Sequence, residues 1–393
     1  MTYFPLTREQ QEWKERAADI AARELAPRAE LTDRTATYPL ESLAALRREG
    51  LWGLRVSKEH GGLEADLVTT CLVVEELAKK CPSTAMCYKM HLEASEVVSR
   101  MPTAYQAKQF VEPIARGEVF ATVAGSETWT DGSNWTSGRK FAAVTKVDGG
   151  YQINNVRKSY VTSAGHASHF FFLCRVGEDA PLDDISLLFV ERDSVDCEIV
   201  EPWNGLGLRG NESCPMRFNG VVPEENRIGA EHTAMRDAGG VFQPLLGVTY
   251  AAAYLGIGSG ALELALAEGD RRFADGSRRL DSPINQRRIA ELSTRVEAAQ
   301  TLLHAAAAAF DHKRTTSFLP VLQAKVTCAE TAVSVTQELM TMFGGTAFSG
   351  HLPFERYFRD ARAGMIMALP NDSAYQAMLP LLLPAPPKPE ANA

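Results

Sequence analysis

The spacing of apolar residues changes character twice along this chain, from helical to strand-like and back, and no single-class fold satisfies both changes. Residues 1–118 carry the helical pattern. Thr7-Arg8-Glu9-Gln10 reads as a capping box, after which Trp13, Ala17, Ile20, Ala21 and Leu25 recur on one face until Pro27. Pro39 suits a first helical turn, Leu43 and Leu46 continue one face, and Gly50 marks a stop; further helices are predicted over 66–79, 83–100 and 103–117. Residues 119–230 switch to short β-rich runs at 141–147, 151–154, 169–176, 185–191 and 216–218, with Asp148-Gly149-Gly150 as a turn. From 231 to 393, Ala/Leu-rich stretches at 246–274, 286–311 and 320–343 predict a bundle of antiparallel helices ending in a short Pro-rich tail. The expected fold class is therefore α+β, with an N-terminal helical domain (1–118), a central β-domain (119–230) and a C-terminal helical bundle (231–393).

Charge and cysteine usage narrow the function. The 41 Lys and Arg face 49 Asp and Glu, a net charge of −8, with no basic cluster of the kind that tracks phosphates, so nucleic acid is not the expected partner. No uninterrupted apolar run reaches the length of a membrane span, and the N-terminus lacks an apolar core behind a basic start. Seven scattered cysteines without a Cys-x-x-Cys fit reduced thiols, and the expected location is the cytoplasm.

Several motifs are discounted on context. Gly205-Leu206-Gly207-Leu208-Arg209-Gly210 matches G-x-G-x-x-G, yet Asn211-Glu212-Ser213 and a strand follow where a dinucleotide fingerprint opens a helix; a loop needing glycine dihedrals is the better reading. Gly256, Gly258 and Gly260 lie inside an apolar helical run and point to close helix packing. His166 and His169 have no carboxylate or cysteine to complete a metal set, so no metal is expected. Ser126 and Ser133 lack the strand-to-helix elbow of a hydrolase nucleophile.

The ordered segments that remain resemble the acyl-CoA dehydrogenase family over about residues 6 to 380. Glu49-Gly50-Leu51-Trp52-Gly53-Leu54-Arg55-Val56 with Glu59-His60-Gly61-Gly62-Leu63 is similar to the family's "ELGLLGLRVPEEYGGLG", and Val74-Glu75-Glu76-Leu77-Ala78 and Cys81-Pro82-Ser83-Thr84-Ala85 follow in order. Ser126-Glu127 with Gly132-Ser133 resembles "TEPxAGSD", with one extra residue and Asn134 in place of the Asp. Arg157 to Ser163 resembles "GxKxWITN", Gly205 to Arg209 the "xxLGLR" segment, Phe343 to Phe348 "HGGxGY", and Pro353 to Arg362 "PVERLLRDAR".

The resemblance implies a homotetramer with an N-terminal helical domain, a central β-barrel and a C-terminal four-helix bundle, with FAD held between subunits. It implies flavin contacts from Gly125, Ser126, Gly132 and Ser133, from Tyr160 in the place of a frequent tryptophan, from Thr162 beside the flavin N5 edge, and from Gly344, Gly345, Asn371 and Asp372. Hydroxyls and backbone N–H groups suit the charge that gathers on a reduced isoalloxazine. Arg272 falls on the helix that sends an arginine to the neighbour's pyrophosphate, although the Phe expected three residues later is Asp275. On the helix from Ser83, Thr84, Tyr88 and His91 share one face, and the family uses this helix to line the acyl end of the pocket; three polar groups there suit a functionalised acyl group, while the plainer reading is a face bonded to a neighbouring loop.

One departure bears on the chemistry. Desaturating an acyl thioester needs a carboxylate to take the α-proton. The family's glutamate position after "RDAR" holds Ala368, and Leu245-Leu246-Gly247-Val248, the stretch where some relatives carry the base instead, holds neither a carboxylate nor the arginine that follows it. Two substitutes present themselves: Glu93, otherwise an exposed helix residue, and Asp372, otherwise a cap or a ribose contact. The expected function is FAD-dependent α,β-oxidation of an acyl-CoA or carrier-bound thioester with a non-standard base, passing electrons to an electron-transfer flavoprotein or to oxygen. The alternatives are a flavin-dependent monooxygenase of the same fold and a thioester-binding protein without turnover.

Overall fold

The structure, a computed structural model, describes residues 3–127, 141–367 and 370–383. The N-terminal helices are α1 (Arg8–Ile20), α2 (Ala26–Thr35), α3 (Leu40–Arg48), α4 (Leu67–Lys80), α5 (Pro82–Arg100) and the short α6 (Ala104–Gln106) and α7 (Glu112–Ala115). The strands are β1 (Ala121–Ala124), β2 (Ala143–Val147), β3 (Gly150–Val161), β4 (His169–Val176), β5 (Ser186–Glu191), β6 (Asp196–Ile199), β7 (Cys214–Pro223) and β8 (Arg227–Ile228). The bundle comprises α8 (Ala234–Gly269), α9 (Pro283–Asp311), α10 (Leu319–Phe343) and α14 (Asn371–Leu382), with the short α11 (Gly345–Phe348), α12 (Phe354–Ala361) and α13 (Ala363–Ile366) between the last two.

The Thr7 side chain and the Gln10 side chain cap α1 reciprocally, as the sequence predicts. Pro27 does not end the helix. A π-turn over Ala21–Leu25, in which the Ala26 N–H reaches back to the Ala21 carbonyl, places Pro27 in the first turn of α2, where its missing N–H costs nothing.

The eight strands form one sheet ordered β6-β7-β3-β2-β4-β5-β8, with β1 pairing parallel to β4. β3 is longer than its sequence signal; it runs to Val161 along β7 through a register shift between Ile153 and Val156, where Asn155 takes a left-handed φ of 54°. The Gly205–Gly210 loop departs from expectation. None of its glycines has a positive φ; it is Leu208 that does (φ 50°), and Gly207 is needed because a Cβ there would meet the Arg359 and Asp360 backbone of α12.

α8 begins twelve residues before its predicted start and continues through Pro244, because packing against α4, α5, α9 and α10 holds it where local propensity does not. Its Arg236–Gly269 portion is long and apolar enough by length and composition to cross a membrane, but 94% of the most apolar window is buried, as in a core helix. Gly256 and Gly260 face the backbone of α4 and Gly258 faces Ala332 of α10, which is the close helix packing read from their spacing. All seven cysteines are free thiols.

Candidate active site

The first part of the site is the seam between β1 and the end of β3. Just after β1, the Ser126 hydroxyl accepts from the Tyr160 N–H at 3.0 Å and donates to the Tyr160 carbonyl at 3.0 Å, while the Ser159 N–H donates to the Ser126 carbonyl at 2.8 Å. Gly125 leaves room for Leu173, whose Cδ1 would lie 2.9 Å from an added Cβ. Behind this staple, buried Lys158 pairs with Glu127 and donates to the Leu173 carbonyl at 2.7 Å, and Glu127 also accepts from the Ala142 N–H at 2.9 Å. Burial lowers the Lys158 ammonium pKa, and Glu127 opposes that shift. The Tyr160 side chain is 59% exposed, so its ring is available for stacking. Thr162 is buried, its hydroxyl 2.8 Å from that of Ser213.

A second part lies at the end of α10. Gly344 takes φ 53°, ψ −128°, and an added Cβ at Gly344 or Gly345 would meet nothing within 4 Å, so the backbone there is open to a ligand. It borders a groove of about 640 Å³ with Phe343, Thr346, His351 and Arg279. The Arg279 guanidinium donates to the Met342 carbonyl at 2.9 Å and lies over Phe343. Arg279 did not emerge from the sequence; its signal was the pair Arg278-Arg279 after a turn. Arg272 is exposed and is spent on its own hairpin, donating to the Gly276 carbonyl at 2.8 Å. Gly132 and Ser133 lie outside the described residues, as does Ala368.

The third part is the α5–α8 interface, where the sequence reading needs correction. Thr84, Tyr88 and His91 are fully buried, and their polar atoms are spent within the protein. The Thr84 hydroxyl donates to the Cys81 thiol at 3.1 Å and the Tyr88 hydroxyl to the Leu51 carbonyl at 2.8 Å. His91 lies 3.0 Å from the Trp52 carbonyl through Nε2 and accepts from the Ala121 N–H at 3.1 Å through Nδ1. They tie α5 to the surrounding chain rather than offer groups to an acyl chain, because each of these polar atoms already has a partner within the protein.

Glu93 is not the exposed helix residue that a plain reading allows. It is fully buried, and its Oε1 lies 2.6 Å from Lys89 Nζ and accepts from the Thr249 hydroxyl at 2.7 Å. Its Oε2 has no hydrogen-bond partner. Burial raises the Glu93 pKa against the lowering effect of Lys89 and Thr249. Thr249 directly follows Leu245–Val248, so the carboxylate from α5 meets α8 beside the stretch where the sequence lacks one. Asp372 is exposed in the first turn of α14, a favourable place for an anion. Asn371 is buried, and its Oδ1 accepts from Lys325 at 2.6 Å, so its side chain is spent internally. No group of His, Cys, Asp and Glu able to hold a metal occurs among the described residues.

The arrangement of helices, sheet and bundle around these patches defines a flavoprotein oxidoreductase. Three family profiles match the chain in order: the acyl-CoA dehydrogenase N-terminal domain over residues 7–118, the middle domain over 122–221 and the C-terminal domain over 248–371. The chain belongs to the acyl-CoA dehydrogenase family, whose cofactor is FAD and whose reaction class is flavin-dependent acyl-CoA oxidation. It is 27% identical over 367 residues to the probable acyl-CoA dehydrogenase FadE25 of Mycobacterium tuberculosis, covering 92% of each chain. It shares its fold with the butyryl-CoA dehydrogenase of Megasphaera elsdenii (TM-score 0.89, 24% identity, 97% of this chain and 100% of that one). It also shares it with the prolyl acyl carrier protein oxidase AnaB (TM-score 0.85, 19% identity, 96% of this chain and 100% of that one).

The residues present fit FAD. An open glycine backbone beside an arginine suits the pyrophosphate end, and the exposed Tyr160 ring beside the Ser126 staple suits a flat tricyclic ring.

Proposed function

We propose that this protein oxidises an acyl thioester between its α- and β-carbons, with Glu93 as the proton acceptor. Bound FAD supplies the acceptor for the hydride that leaves the β-carbon. The chain's own contribution is to remove the α-proton and to hold the reactants. Ser126 and Tyr160 hold the ring edge, with buried Thr162 behind them through its hydroxyl pairing with Ser213, and Arg279 with Gly344 and Gly345 holds the pyrophosphate end. Glu93 Oε2 takes the proton. The observation that carries the assignment is that Oε2 is a buried carboxyl oxygen with no donor, on a group whose pKa burial raises. Asp372, exposed on α14, has no such environment.

The substrate class is an acyl-CoA or the equivalent carrier-bound thioester, and the electron acceptor is an electron-transfer flavoprotein. The exposed apolar residues Tyr375, Leu379 and Leu382 of α14 support a homo-oligomer, for which a tetramer is the family arrangement.

The test is Glu93→Gln in the FAD-loaded protein. The rate of flavin bleaching by a saturated acyl-CoA falls by roughly 10²- to 10⁴-fold, the usual worth of a positioned general base. FAD content and the melting midpoint, read alongside, separate loss of the base from loss of the fold. A wild-type bleaching rate in Glu93→Gln excludes Glu93.

A further inference from the structure

Lys89 and Glu93 stand four residues apart on α5, and both side chains are completely buried. A buried ion pair is costly to desolvate and is seldom kept for stability alone, so its geometry asks for a reason. Lys89 Nζ lies 2.6 Å from Glu93 Oε1 and 2.9 Å from the centre of the Tyr250 ring, with the Met90 sulfur 3.4 Å away. The ammonium is therefore caged by a carboxylate, an aromatic face and a thioether, and its position is fixed. Thr249 has one proton to donate. It has the Leu245 carbonyl at 2.9 Å, the Leu246 carbonyl at 3.3 Å and Glu93 Oε1 at 2.7 Å as acceptors, and the carboxyl oxygen is the nearest. Both donors thus converge on the same carboxylate oxygen, and the other is left bare.

We propose that Lys89 is the positioning residue of the proton-accepting carboxylate: it holds Oε1, with help from Thr249, so that Oε2 is the oxygen that receives the proton. The inference rests on the reading of Glu93 as the base. Lys89 also supplies the charge that opposes the effect of burial on Glu93, lowering the carboxyl pKa that burial raises. Among the described residues it is the charged group that acts on Glu93. The phenols of Tyr250 and Tyr254 on α8 also feel the carboxylate, but burial holds their pKa values well above the ordinary tyrosine value, so they stay neutral. Burial lowers the Lys89 pKa to about 8, and Glu93 opposes that shift.

The test follows flavin bleaching by a saturated acyl-CoA over a pH series in the FAD-loaded wild type, Lys89→Met, Glu93→Gln and the double variant. In Lys89→Met the acid limb of the rate profile moves up by about 1 to 3 pH units, as loss of an adjacent opposite charge requires, with KM unchanged. The double variant is no slower than Glu93→Gln, because Lys89 acts only through Glu93. Infrared difference spectra show the protonated Glu93 carboxyl persisting to higher pH in Lys89→Met. If Lys89→Met does not fold, Thr249→Val removes the neutral donor instead and moves the limb in the same direction by less.

An unmoved pH profile overturns the proposal, as does a double variant slower than Glu93→Gln by the Lys89→Met factor. If Glu93→Gln keeps the wild-type rate while the infrared shift in Lys89→Met remains, the base assignment falls and the positioning of Glu93 by Lys89 stands.

Discussion

Replacing His91 by Leu distinguishes an imidazole that binds the fold together from one that faces substrate. His91 joins α5 to the Trp52 carbonyl and to the Ala121 N–H of β1, at 3.0 and 3.1 Å. Since Nδ1 accepts from a backbone N–H, the ring proton sits on Nε2 and the neutral form is the one that fits. Burial lowers the pKa from 6.5 to about 4. Between those values the unfolded chain binds the proton and the folded one does not, so stability is complete above about pH 6.5 and is lost as pH falls toward 4. The gap of about 2.5 pH units corresponds to roughly 3 kcal/mol at most.

His91→Leu removes that acid sensitivity but strands a buried N–H and a buried C=O, each at about 1–3 kcal/mol. At neutral pH the variant is therefore less stable by roughly 2–6 kcal/mol, and its urea midpoint falls less than that of the wild type on acidification from pH 7 toward 5. Urea titrations followed by tryptophan fluorescence at the two pH values read both effects. A variant with the wild-type midpoint at neutral pH and an altered KM for acyl-CoA refutes the reasoning and returns His91 to the pocket.

Further substitutions test other parts of the account. Gly256→Ala gains about 1 kcal/mol of helix propensity but places a methyl group 2.5 Å from the Glu75 carbonyl oxygen and 2.7 Å from Ala78 Cβ. Overpacking against backbone costs about 1–3 kcal/mol, so a lower melting midpoint is expected, and an unchanged or raised one contradicts the close α4–α8 contact. Arg55→Met removes one of the two arginines on buried Glu96, which Arg55 meets through Nε at 3.0 Å and Nη2 at 2.5 Å, and leaves Arg100 Nε at 3.0 Å as its cation, so it costs about 1.5–3 kcal/mol in denaturant titrations. Arg279→Met weakens FAD retention on dialysis and, by losing the bond to the Met342 carbonyl, lowers the stability of the flavin-free protein by about 0.5–1.5 kcal/mol; undiminished retention excludes Arg279 from the cofactor groove.

Much of the fold was legible because long elements advertise their period. The capping box at Thr7, the strand at His169–Val176 and the bundle helices ending at Asp311 and Phe343 all stand where the spacing places them. What failed was local chemistry overridden by packing: Pro27 was absorbed by a π-turn, and Pro244 was carried inside α8. The family's ordered segments pointed to the neighbourhoods of Ser126, Tyr160 and Gly344. They did not distinguish lining from core on α5, where residues 82–99 are buried on every side, so a shared helical face carried no information about exposure. The spacing of Lys89 and Glu93 was the available clue to the buried pair, but an i,i+4 ion pair looks the same in sequence on a solvated surface as inside a core.

Anaerobic mixing of the FAD-loaded protein with a panel of saturated acyl-CoA esters, followed through the flavin's visible absorbance, tests the central claim most directly. The account predicts that at least one ester bleaches the flavin, more slowly when its α-hydrogens are deuterium, and yields the 2-enoyl thioester. A flavin that stays oxidised with every ester, yet consumes oxygen in the presence of substrate once reduced by other means, would contradict it.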